Sequence, residues 1–162
     1  AHYAAERYED ALECFRSAIE SRHGIGYRPG EVVNLHNIGD VYFRIGEYSR
    51  AWASFSRSRD LASEMGWQGG VTMNDIFITY LDGTRYRDSE SIERMRRVVN
   101  PADGSVEPDV HLTARWLLGR LLVELGETEE GRAVLEQALY DARELQDGIR
   151  NKDIRMALEG MA

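Results

Sequence analysis

What most restricts the fold of this chain is a pattern that returns every 40 residues. Ala11/Phe15/Ala18, Ala51/Phe55/Ser58, Ser91/Met95/Val98 and Gly131/Leu135/Ala138 each combine a small residue, a large apolar one four positions on, and a small or β-branched one three further. That spacing puts the three side chains on one face of a helix, where the small ones let a neighbour come close. A second pattern lies just upstream. Leu35, Ile38, Gly39 and Tyr42 share a face, and Gly46 follows at a turn before a new helix near Tyr48; Leu118, Gly119, Leu122 and Gly126 repeat the set 80 positions later. Two registers with one period predict helix pairs stacked as a solenoid. Such an all-α architecture holds other molecules along a surface, and its function is to be sought in a groove.

The third copy departs from the others. Matching Tyr80 to Tyr42 puts Phe77 where Gly39 and Gly119 stand, and strict register puts Thr79 there. Either way a looser helix contact is expected, with a longer link over Asp82 to Ser89. Asn100 to Ser105 reads as a turn-rich connector, and Pro108 suits the first turn of the next helix. Any bend of the array is expected within residues 82–108. At the far end Ile154, Leu158 and Met161 form an apolar stripe, while Glu159 occupies the close-contact position of Gly39 and Gly119, as in a solvated cap; a one-residue slip would put Gly160 there instead.

The run NLHNIGDVYFRIGEYSRAWASFSRS (residues 34–58) resembles a tetratricopeptide repeat, in which a hydrophobic residue, Leu-Gly and Tyr mark the first helix and Ala, Phe and Ala the second. The usual repeat has about 34 residues. The longer period here is similar to the long-helix branch, which includes kinesin light chain, G-protein-regulator adaptors and bacterial peptide-sensing and transcription-regulating proteins. The resemblance implies a right-handed superhelix of antiparallel hairpins in one domain over residues 1–162. Its repeats would be a partial 1–26, then 27–66, a degenerate 67–106, 107–146, and a capping helix 147–162. It also implies that the first helix of each hairpin lines a concave groove. The ligand contacts carried over are Val33, His36, Asn37, Asp40, Phe43 and Arg44; Val71, Asn74 and Ile78; and Thr113, Trp116, Arg120 and Glu124. Asn37 and Asn74 could bond a peptide backbone and Phe43 and Trp116 could bury its side chains, whereas Asp40/Arg44 and Arg120/Glu124 could instead pair with each other. Trp116 could equally belong to the core.

Other classes are disfavoured. A formal charge of −8 over 162 residues and a pI near 5.1 do not suit direct nucleic-acid binding. No run of 18 apolar residues predicts a membrane span, and AHYAAERYED does not read as a signal peptide. Because the first residue is not Met and the first repeat is partial, a longer parent protein is expected. Arg85, Arg87, Arg94, Arg96 and Arg97, interleaved with Asp88, Glu90 and Glu93, read as a solvated ion-paired face or as a dock for an acidic segment. Cys14, the lone cysteine, is expected to be a half-buried structural thiol in a reducing compartment. His2, His23, His36 and His111 have no metal-ligand spacing, and no catalytic constellation or cofactor motif occurs. Gly24 to Gly30 reads as an inter-repeat turn, like Gly66 to Gly70, and not as a phosphate loop. The expected function is a non-enzymatic, cytoplasmic scaffold or regulatory module binding a protein or peptide; a homo-oligomerisation module of a signalling or transcription-regulatory protein is the alternative.

Overall fold

The computed structural model describes residues 2–23, 28–101 and 106–161. Among them are eight helices and no strand: α1 (His2–His23), α2 (Arg28–Arg44), α3 (Tyr48–Glu64), α4 (Gln68–Tyr86), α5 (Ser89–Val99), α6 (Pro108–Leu125), α7 (Thr128–Glu144) and α8 (Gly148–Glu159). Consecutive helices pack on one another, as expected of an all-α helical-repeat solenoid. The chain divides into two compact units, residues 1–78 and 79–162, with the division falling inside α4.

In the first unit α2 and α3 form a hairpin. The α2 face of Leu35, Ile38, Gly39 and Tyr42 is buried, and on α3 Ala51, Phe55 and Ser58 face inward. Gly39 is needed because a Cβ there would stand 2.7 Å from the Phe55 ring. The turn is closed by Gly46 in the left-handed region (φ 81°), with the Glu47 N–H donating to Tyr42 O at 2.9 Å. Full burial of Phe55 and Phe77, each worth about 1.5–3 kcal/mol, binds α3 to α4. Their rings stack at 4.5 Å. Gly66 is the left-handed turn residue before α4 (φ 70°). Gly69 and Gly70, read as part of that turn, are helical instead, and Gly70 lies against Trp67 and Ala62. The Gly24 to Tyr27 and Ala102 to Ser105 segments lie outside the described residues.

The second unit repeats the device. A Cβ on Gly119 would come within 2.7 Å of Leu135, and Gly126 turns the chain at φ 100°. Pro108 occupies the first turn of α6. The third repeat corrects an expectation, since its helix contact is not loose. Thr79 and Phe77 fill the space at the expected small site, and the close approach moves one turn along to Gly83, where a Cβ would lie 2.8 Å from Ser91 Cβ and 2.9 Å from Leu121. The link is also short: α4 continues to Tyr86, and Arg87, at φ 53°, makes the reversal that glycine makes in the other hairpins. On α8, Ile154 is fully buried, Leu158 is half-buried and Glu159 is exposed; Met161, just past the helix, is half-buried. Cys14 is exposed, where a half-buried thiol was expected; Leu12 is the buried residue of its turn.

Candidate functional site

In the first unit the outward stripe of α2 runs through Val33, Asn37, Asp40 and Arg44, spaced to lie along one face. Val33 is 44% exposed. Asp40 accepts from Arg44 Nε at 2.8 Å, one turn apart, as the spacing suggested. Asn37 is half-buried, and its side chain forms no hydrogen bond among the described residues. Beside the stripe, the other expected contacts serve the interior. Phe43 is buried edge-on to Phe77, with ring centroids 5.4 Å apart. Ile78 is buried too.

Asn74, 1% exposed, organises an internal network. Its Nδ2 donates to Ser58 Oγ at 2.9 Å and to Gly70 O at 2.8 Å, and Ser58 Oγ donates in turn to Val32 O at 2.8 Å. With both amide protons used, Asn74 Oδ1 must accept from His36 Nδ1 at 3.0 Å. This fixes the His36 tautomer, with Nδ1 protonated, and the ring is held between Phe55 and Phe77. His36 and Asn74 thus meet, and the second stiffens the helix that carries the first.

In the second unit Trp116, Arg120 and Glu124 come together around Tyr80. Trp116 is 3% exposed, so it belongs to the core, yet two guanidinium groups lie over its ring: Arg120 at 5.5 Å and Arg150 at 4.6 Å. Arg120 also covers Tyr80 at 4.8 Å, and the Tyr80 hydroxyl donates to the Glu124 carboxylate. Arg120 and Glu124 stand 3.8 Å apart and line a cleft of about 210 Å³ with Val123, Leu135, Met156, Ala157, Gly160 and Met161. Thr113 and Val71, also expected in the lining, are buried and half-buried respectively. Sequence reasoning missed Tyr80, Arg150 and Met156. For Tyr80 the signal was present: it stands 40 positions after Asp40 and 40 before Arg120.

The arginine cluster around α5 divides. Arg96 is bound by Glu130 at 2.6 Å and Glu93 at 2.5 Å, which hold its pKa above the ordinary value. Arg87 donates to the Glu124 carbonyl at 3.3 Å, and Arg85 lies over the Tyr86 ring. No helix is long and apolar enough to cross a membrane among the described residues, and these also contain no group of three metal-ligating side chains.

The α2–α3 and α6–α7 hairpins, with glycine at the first helix's contact site and an aromatic or leucine side chain opposite, define a helical-repeat protein. A tetratricopeptide-repeat family model matches residues 1–64, and a second tetratricopeptide-repeat model matches residues 112–140. The matches together cover more than half of the chain, which belongs to the tetratricopeptide-repeat family. No curated protein matches it.

Proposed function

We propose that the chain is a non-enzymatic module of the long-helix tetratricopeptide branch that binds a protein or peptide along the first helices of its hairpins, as the scaffold or regulatory part of a cytoplasmic signalling protein. The observation that carries this reading is the outward stripe of α2, where the Asn37 amide and the Asp40/Arg44 pair stand on a helix whose other side is locked by the His36–Asn74–Ser58 network and the stacked phenylalanines. A rigid backing with adaptable polar groups in front holds an extended backbone at little ordering cost. In the second unit, Arg120, Glu124 and the methionine-walled cleft offer a seat for one apolar side chain flanked by polar groups. Peptides selected from a displayed random library should bind the wild type and lose affinity on Asn37→Ala with Arg120→Ala. Failure of the library to yield any binder sensitive to those changes would sink the reading.

A homo-oligomer is the second reading, and exposed aromatics on α3 favour it: Tyr48 and Trp52, one turn apart, are 47% and 42% exposed. Light-scattering mass that rises with concentration and falls on Trp52→Ser would move the assignment there.

A further inference from the structure

A different surface, outside that groove, carries the next inference. A cleft lies between the end of α7 and α8, about 510 Å³ in volume and within the usual range for ligand sites, about 300–1,000 Å³. Its lining is explained by repeat position. Lys152 and Glu159 stand 120 positions after Val32 and Gly39, and in α2 those two receive the hairpin's second helix: Ser58 Oγ bonds Val32 O, and Phe55 lies on Gly39. On α8 the same face is charged. An apolar helix cannot seat there without burying ions.

What this face can take follows from its charges. Arg143, Lys152 and Arg155 all line the cleft, all are exposed, and none forms an ion pair among the described residues. Two carboxylates share the cleft. Asp147 is occupied as the N-cap of α8, accepting from Arg150 N at 2.9 Å, and Glu159 lies at the far end of α8. Three cations without ion-pair partners stand together on a chain whose net charge is −8. Between them the amides of Gln146 and Asn151 can serve a peptide backbone. We infer that the α7–α8 cleft binds an acidic peptide segment, its carboxylates meeting Arg143, Lys152 and Arg155.

The test is fluorescence anisotropy with three labelled peptides of equal length, alternating Glu/Ala, Gln/Ala and Lys/Ala. The Glu/Ala peptide alone should bind, more weakly as salt rises, and the variant Arg143→Glu/Lys152→Glu/Arg155→Glu should lose at least about tenfold in affinity. Asn37→Ala/Arg120→Ala, which addresses the groove, should bind it as the wild type does, so the two readings fail separately. No binding of the Glu/Ala peptide, equal binding of Gln/Ala, or undiminished binding by the charge-reversed variant overturns the proposal. A dimer that the charge reversal disperses also overturns it, by giving the cleft to a second copy. Should the triple variant not fold by circular dichroism, acetylation of Lys152, the only lysine in the chain, and Arg155→Gln supply the same comparison.

Discussion

Gly39, Gly119 and Gly131 determine how near the helices of a hairpin come. Alanine is favoured over glycine in a helix by about 1 kcal/mol, whereas overpacking a tight contact costs about 1–3 kcal/mol. At Gly39 the obstacle is the Phe55 ring; at Gly131 it includes backbone, with Gly119 O at 2.8 Å and Val123 N at 3.0 Å from the added carbon. Backbone yields less than a side chain. Urea denaturation should therefore find Gly131→Ala more destabilising than Gly39→Ala, and Gly148→Ala, where nothing lies within 4 Å, neutral or stabilising. The reverse order would refute the contact argument. Asn74→Ala should cost about 2 kcal/mol, since it removes the amide that donates to the buried Ser58 Oγ and the carbonyl that accepts the His36 N–H. A change below 0.5 kcal/mol, within the ordinary scatter of surface substitutions, would show that the network is dispensable. The glycines were legible in the sequence, because a small residue at fixed spacing has one use. The role of Asn74 was not: its partners come from 16 and 38 positions away, and nothing in the local pattern separates an amide facing a ligand from one facing Ser58.

Among the elements, α5 is the shortest, at 11 residues, and begins on a side-chain cap, Asp88 accepting the Ser91 N–H at 2.7 Å. That bond holds the Asp88 carboxyl below the usual aspartate range. A depressed pKa stabilises the fold above the ordinary value near 4 and loses its contribution as pH falls through the lowered one. Asp88→Ala should thus cost about 1 kcal/mol at neutral pH, and the gap from wild type should close in acid; a gap constant with pH would remove the cap from the account. For α8, the contact between Arg150 and Trp116 ties the helix to α6. Arg150→Ala should speed amide exchange in α8 while leaving α2 unchanged. Helix starts at Tyr48 and Pro108 and the reversals at Gly46 and Gly126 were readable from capping and turn chemistry. The shift of the third contact from Thr79 to Gly83 was not, because a period fixes which face is apolar and leaves open which turn of it carries the closest approach.

At the scale of the molecule, the periodic signal yielded the class of fold while the degenerate repeat concealed its quality. The bend expected over residues 82–108 rested on loose packing, and Gly83 against Ser91 and Leu121 is tight. Hydrogen exchange should find residues 70–86 protected as strongly as 33–44; much faster exchange in the former would restore the hinge. The ion pairing within Asp40/Arg44 was legible from spacing, but the cover of Trp116 was not, since Arg150, which lies over its ring, comes from another helix.

Gly119 and Gly131 face each other so that a carbon added to either would press on the carbonyl oxygen of the other, at 3.1 Å and 2.8 Å. Neither can be rescued by enlarging its partner, since any larger residue on either side only deepens the collision. In a lineage of such chains, single-nucleotide drift would wander across the exposed stripe of α2 and stall at these two codons, so the α6–α7 hairpin should keep its ancestry readable after the binding face has changed its meaning.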